Sequence, residues 1–255
     1  MKNTFESGRS SIERSDDEVI RPTGPWSLSV HKYLDFLDQQ AFQHVPIPLG
    51  IDGDGREHLS YVDGQVYSSM EIPESRSDEM LVSLAHFLKA FHDLGRDYLC
   101  KLSTSDLWML PMRQPVETMC HGDLGPYNVV TQGNTVKGLI DFDTLHPGPI
   151  MWDLAYALYR WVPLMHKGNP EDFGDRDNKL RRIKLFMTAY GKADQPLETI
   201  YTWVLQRIEY LMIYMENEGA KGNEAVALAI ERGDLNLYKR DLAYIEALRN
   251  NVIIT

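Results

Sequence analysis

The chain has 255 residues, enough for a sizeable core in one large domain or two lobes, and a formal net charge of −11 that argues against general nucleic-acid binding, which needs a basic face. No apolar run is long enough to span a bilayer, and the N-terminus lacks the apolar core of a signal peptide, so a cytoplasmic protein with no membrane partner is expected. The two cysteines, Cys100 and Cys120, read as unpaired thiols of a reducing compartment, and neither has a partner at zinc-ligand spacing.

Residues 1–18 are polar, with Phe5 and Ile12 the only large apolar side chains after Met1. They read either as a small hairpin turning at Ser7-Gly8-Arg9-Ser10-Ser11 or as a partly disordered tail. Glu18-Val19-Ile20-Arg21 is a short strand stopped by Pro22. A helix is predicted from Ser27, with Ser27 or Ser29 as its cap and Val30, Tyr33, Leu34, Leu37 and Ala41 at helical spacing. Pro46 and Pro48 end it. Leu49-Gly50-Ile51 and His58-Leu59-Ser60-Tyr61-Val62, joined by a Gly53-Asp54-Gly55 turn, form a hairpin. Asp63-Gly64 is a natural break, which divides the chain into an N-terminal lobe, 1–64, and a C-terminal lobe, 65–255.

An amphipathic helix over 78–94 carries Leu81, Leu84, Ala85, Leu88 and Phe91 on one stripe, with Gly95 as its C-cap. Further helices are predicted over 152–161, 179–191, 196–216, 223–231 and 235–250. Strands cluster early and helices late, the order of an α+β protein with a small sheet lobe and a helical lobe.

The most informative stretch is His121-Gly122-Asp123-Leu124-Gly125-Pro126-Tyr127-Asn128, followed by Ile140-Asp141-Phe142-Asp143. Phosphoryl transfer of the kinase type needs a base beside the attacking hydroxyl and two oxygen ligands that hold Mg²⁺ against the phosphates. Asp123, Asn128 and Asp141 supply those groups. Asn128-Val129-Val130-Thr131 reads as a strand, Gln132-Gly133-Asn134 as a tight turn and Val136 to Ile140 as the returning strand, so a hairpin carries Asp141 back towards Asn128. Gly122 and Gly125 permit a tight loop, and Pro126 stiffens it before Tyr127. Trp152, Tyr156, Tyr159 and Trp161 form an aromatic run on one helix, read as core packing.

This pattern resembles the aminoglycoside phosphotransferase and choline kinase branch of the protein-kinase-like fold, whose catalytic loop reads His-Gly-Asp with Asn five residues after the Asp, followed later by Ile-Asp-Phe or Ile-Asp-Trp. Pro147-Gly148-Pro149-Ile150-Met151-Trp152-Asp153-Leu154-Ala155 is similar to the family's segment ending in Asp-Leu-Ala. With Arg21-Pro22-Thr23-Gly24-Pro25-Trp26, it also resembles bacterial phosphotransferase-like, trifolitoxin-immunity-like proteins with a short N-terminal lobe. The resemblance implies a two-lobed protein-kinase-like α+β fold with a reduced β-rich N-lobe and a larger helical C-lobe. It implies ATP or GTP as phosphoryl donor, Mg²⁺, and a small-molecule hydroxyl as acceptor.

Carried onto this chain, the resemblance makes Asp123 the base and Asn128 and Asp141 the metal ligands. Asp143 binds a second ion, binds the first through water, or is a solvated loop residue. His121 holds backbone, and Asp153 pins the catalytic loop from behind. The family's strand Lys, which binds phosphate and pairs with a helix Glu, is matched by Arg21, while the helix position falls near Val30 or His31, neither acidic. Ser10 and Ser11 offer hydroxyls to phosphate or belong to a plain polar turn. Ser60-Tyr61-Val62 would take the adenine through backbone groups. The acceptor would sit within 160–250, where Glu209, Glu216 and Glu218 read as a solvated helix face. A kinase-like binding or immunity protein with weak or no turnover is the alternative function.

Overall fold

The computed structural model describes residues 3–4, 12–15 and 17–253. Ser10 and Ser11 lie outside the described residues. The chain divides into two compact units. One comprises residues up to Val66 together with Ala90–Asp123 and Asn128–Ile150; the other comprises Tyr67–Lys89, Leu124–Tyr127 and the chain from Met151 onward.

The first unit is built on an antiparallel sheet of order β1-β2-β3-β5-β4, formed by Asn3–Thr4, Glu13–Ser15, Glu18–Pro22, Arg56–Ser60 and Pro48–Ile51 respectively. Pro22 closes β3 as predicted, and β3 pairs along its length with β5, placing Arg21 opposite Glu57. Helix α1, Ser27–Gln39, buries Val30, Tyr33, Leu34 and Leu37 of the stripe read from the sequence, while Ala41 lies past its end, exposed and at φ 58°. Neither serine caps it. Ser27 Oγ accepts from the Gly24 N–H and Ser29 Oγ from the Leu107 N–H, so both hydroxyls fasten neighbouring loops instead.

Helix α2, Asp78–Tyr98, runs through Gly95 rather than ending there. The glycine serves a close approach: a Cβ at this position would run into Thr118 Oγ1 and the backbone nitrogen of Met119. Those two residues belong to β6, Thr118–Cys120, which pairs with β9, His146–Gly148. β9 carries Pro147 in its middle, tolerable in a two-stranded ribbon where an N–H can be lost. β7, Val129–Gln132, and β8, Thr135–Leu139, form the predicted hairpin. Gln65 adds a bridge to Thr131 with reciprocal backbone hydrogen bonds of 2.9 and 2.7 Å.

An aromatic cluster fills this unit. Tyr33 meets Phe91 and Tyr98 edge-on at 5.9 and 4.9 Å between ring centroids, and Phe91 meets Phe142 at 6.1 Å. Phe142 thereby anchors the Asp141–Asp143 turn to the core.

The second unit is helical: most of α3 (Ile150–Trp161), then α4 (Arg176–Tyr190), α5 (Leu197–Ala220), α6 (Glu224–Arg232) and α7 (Asp234–Ile253). Helices α4 and α6 begin as sequence grammar requires, with Asp175 accepting from the Asn178 N–H and Asn223 from the Val226 N–H. Gly191 and Gly233 end them in left-handed conformations. Buried polar residues tie the helices together. Asp241, wholly buried on α7, accepts from Tyr159 Oη, His166 N and Nδ1, and Asn169 Nδ2. Arg182 donates to Asp78 and to the carbonyls of Arg76 and Trp161. Among the described residues no helix is long and apolar enough to cross a membrane. Cys100 is exposed and Cys120 buried, both as free thiols.

Candidate active site

Every candidate residue of the loop and the following turn except Asp153 falls in the first unit. Asp123 and Asn128 flank a five-residue step that the chain turns tightly. Gly122 has φ +86°, and a Cβ there would meet the Thr144 carbonyl oxygen at 2.5 Å, so only glycine fits. Asn128 Nδ2 donates to both the backbone oxygen and Oδ2 of Asp123, at 3.0 Å each. The loop's two ends are thus locked together by one side-chain amide.

His121 is wholly buried and its two nitrogens have distinct tasks. Nδ1 accepts from the Asp123 N–H at 3.3 Å, which fixes the proton on Nε2, and Nε2 donates to the Ile140 carbonyl at 3.0 Å. Its ring lies 4.8 Å from that of Phe142. One imidazole therefore ties the backbone at Asp123 to the strand end before Asp141. The Ile140 N–H donates to the Asn128 carbonyl at 3.0 Å, extending the hairpin by one step and bringing Asp141 beside Asn128.

Asp141 adopts a left-handed backbone, φ 60° and ψ 71°. Asp tolerates this region better than bulkier residues, but it carries strain on the order of 1–3 kcal/mol. Phe142 supports it by filling the aromatic core, while Asp141 and Asp143 both reach Arg21.

Arg21 is the hub. Its Nε donates to Glu57 Oε1 at 2.6 Å, Nη1 to Asp141 Oδ1 at 2.9 Å and Nη2 to Asp143 Oδ1 at 2.7 Å. Burial works against this guanidinium's charge, but Asp143, Asp141 and Glu57 outweigh it and hold its pKa above the ordinary arginine value. Glu57 has only 2% of its surface exposed, and its second oxygen accepts from His31 Nε2 at 2.6 Å. Burial raises the Glu57 pKa, but the hydrogen bond from His31 and the charge of Arg21 prevail and leave it below the usual carboxylate value. Arg21 is therefore paired with a buried acid. Helix α1 contributes His31, and the carboxylate comes from the neighbouring strand.

Ser60, Tyr61 and Val62, expected to take the adenine, are partly committed elsewhere. Ser60 and Tyr61 donate their N–H groups to the Ile47 and Asp17 carbonyls, and the Arg14 guanidinium stacks 3.5 Å over the Tyr61 ring. Val62 lies within reach of Gly138, where a Cβ would meet its Cγ1 at 3.0 Å. Among the described residues no group of three or more His, Cys, Asp or Glu is poised to hold a metal.

In the second unit Asp153 is fully buried in the first turn of α3. Trp161 Nε1 donates to the Leu124 carbonyl at 2.8 Å, so part of the aromatic run read as core packing also holds a loop residue in place. Tyr156 Oη lies 3.4 Å from Tyr127 Oη. A cavity of about 300 Å³ lies in this unit, lined among others by Tyr159, Arg160, Asn169, Glu171, Asp234 and Tyr238. Arg160 is 7% exposed and sits 5.9 Å over the Tyr127 ring; its Nη2 donates to both Glu171 oxygens, and its Nε is buried without a partner.

Residues 102–177 match the phosphotransferase enzyme family. The whole chain is similar to solved structures of small-molecule kinases. It superposes on a choline/ethanolamine kinase family protein from Mesorhizobium loti with TM-score 0.55 and 15% identity, covering 92% of this chain and 88% of that one. It superposes on the GDP complex of aminoglycoside 2′-phosphotransferase-IIIa with TM-score 0.58 and 16% identity, covering 94% and 91%. The fold is the two-lobed protein-kinase-like fold of these kinases. The trifolitoxin immunity protein of Rhizobium leguminosarum bv. trifolii is 28% identical over 196 residues, 72% of this chain and 71% of that protein. The predicted resemblance to this kinase-like fold and to the immunity-like branch therefore holds. The sequence reading missed Glu57, whose only local signal is a charged residue at an inward-facing position of β5.

Proposed function

We propose that this protein is a phosphotransferase of the cytoplasm that moves the γ-phosphoryl group of ATP or GTP to a hydroxyl of a small molecule. The observation that carries the reading is the lock between Asn128 and Asp123. The amide nitrogen of Asn128 is spent on Asp123, which leaves its amide oxygen as the group that would face a cation and supports Asp123 as the carboxylate that would meet the acceptor hydroxyl. The donor set fits Mg²⁺, since Asn128, Asp141 and Asp143 offer oxygen only and the Asp141 side chain is 38% exposed. When bound, the ion would neutralise charge on the transferring phosphoryl group.

This chain's residues then divide the work. Asp123 orients the hydroxyl and accepts its proton. His121 and Asn128 hold Asp123 in place. Arg21, anchored by Glu57, offers a cationic fork to the phosphates, and the backbone around Ser60, Tyr61 and Val62 receives the base. The GDP complex of a structural relative supports a nucleotide donor.

The test is turnover of ATP and GTP with Mg²⁺ against a panel of hydroxyl acceptors, comparing wild type with Asp123→Ala. Transfer should fall by about 10²–10⁴-fold in the variant while nucleotide binding persists. Transfer that survives the change would refute the assignment. The second reading, a kinase-like immunity or binding protein with weak or no turnover, is favoured by the engagement of Arg21 with three carboxylates and by the likeness to the trifolitoxin immunity protein. Nucleotide binding without turnover across the panel would select it.

A further inference from the structure

Arg21 meets a carboxylate at each of its three nitrogens, and two of those carboxylates, Asp141 and Asp143, are the groups assigned above to a divalent cation. We infer that Arg21 is a built-in counter-cation of the Asp141–Asp143 pair, which a divalent ion must displace, so that metal entry and release of the Arg21 fork towards phosphate are one coupled event. The inference rests on the phosphotransferase reading.

The geometry supports an exchange at one end of the guanidinium only. The Nε end is held by Glu57, which is itself buried and held from its other side by His31, so this end acts as a fixed pivot. The Nη end reaches Asp141 and Asp143. The Asp143 side chain is 10% exposed and enclosed, whereas that of Asp141 is 38% exposed and open to an arriving ion. Charge favours the exchange. Three carboxylates against one guanidinium give these four side chains a charge of −2, so they retain attraction for a divalent ion even with Arg21 in place. Oxygen lone pairs aimed at Nη1 and Nη2 are withheld from the metal, so Arg21 sets the concentration of ion at which the site fills. By reciprocity, whatever Arg21 subtracts from metal affinity, the metal subtracts from the hold of the carboxylates on Arg21.

The experiment is Mn²⁺ binding to the full chain without nucleotide, followed by loss of the free-ion electron paramagnetic resonance signal. It compares wild type, Arg21→Gln, Arg21→Lys, and Arg21→Gln combined with Asp141→Asn. Arg21→Gln should bind Mn²⁺ about tenfold more tightly than wild type or better, and the added Asn should remove the gain. Arg21→Lys, whose single ammonium cannot serve three carboxylates at once, should fall between them, and it carries the test if the Gln variant does not fold. Mn²⁺ binding that depends on Asp141 but is no tighter in the folded Arg21 variants would overturn the counter-cation role and leave the metal site standing. No binding, or binding indifferent to Asp141→Asn, would overturn the metal site of the phosphotransferase reading and this inference together.

Discussion

Glu57→Gln isolates the pair at the centre of the site without changing side-chain volume. Glu57 accepts two short hydrogen bonds, from Arg21 Nε and His31 Nε2, and is almost completely buried. A hydrogen bond to a charged group contributes about 1.5–3 kcal/mol, and removing one member of a buried ion pair costs about 3–5 kcal/mol. The cost here should sit lower, near ~2–3 kcal/mol, because Arg21 keeps Asp141 and Asp143 and because Gln is cheaper to bury than a carboxylate. For a chain of this size that corresponds to a fall in Tm of roughly 5–10 °C. Circular dichroism melts at neutral pH read it directly.

The pH dependence provides a sharper check. The folded-state pKa of Glu57 is depressed below 4.5, so its stabilisation is complete above the unfolded value and is lost as pH falls through the folded value. The gap in Tm between wild type and Glu57→Gln should therefore be constant above about pH 5 and close as the pH drops below the unfolded carboxylate range near 4.5. A variant as stable as wild type at pH 7, or a gap that persists unchanged into acid, would refute the claim that a charged Glu57 holds Arg21.

Three further changes test other joints. Gly95→Ala would ordinarily stabilise a helix interior by about 0.5–1 kcal/mol, but against Thr118 and Met119 it should destabilise by about 1–3 kcal/mol in urea titration, a reversal of sign. Trp161→Phe leaves the Leu124 carbonyl without its indole donor and should cost roughly 2–4 kcal/mol in thermal denaturation, with faster amide exchange in the 124–127 segment. Asp241→Ala strands donors of Tyr159, His166 and Asn169 in the interior of the helical unit; a loss of about 3–5 kcal/mol by calorimetry is expected, and a loss below about 1 kcal/mol would contradict the network.

What the sequence disclosed divides along physical lines. The loop from His121 to Asn128 and the hairpin returning to Asp141 were legible because their geometry is written locally, in a glycine that alone fits its turn, a proline that stiffens the loop and a two-strand turn at Gln132-Gly133-Asn134. The stripe of α1 was legible for the same reason. Features that depend on a distant partner were not. The caps expected at Ser27 and Ser29 gave way to loop contacts from Gly24 and Leu107, and Gly95 was claimed by β6 rather than by the helix end. Strand β9 was hidden because Pro147 argues against a strand until its two-stranded setting is known.

Glu57 supplies Arg21 with an acid that the sequence alone did not pair with it. On a helix, the acid meets the strand cation only when the helix is correctly placed. Here Arg21 and Glu57 are directly opposed across β3 and β5, so the same register that forms the sheet forms the pair. A register slip of one residue would place the two side chains on opposite faces, so the pair and the observed register go together. The helix contributes through His31, whose Nε2 meets the second oxygen of Glu57 at 2.6 Å. An arginine suits such a fixed arrangement better than a lysine. Its planar fork spends one edge on the strand partner and still reaches two carboxylates on the turn after β8, which a single ammonium could not do in the same geometry. Arg21 thereby links the sheet to the Asp141–Asp143 turn.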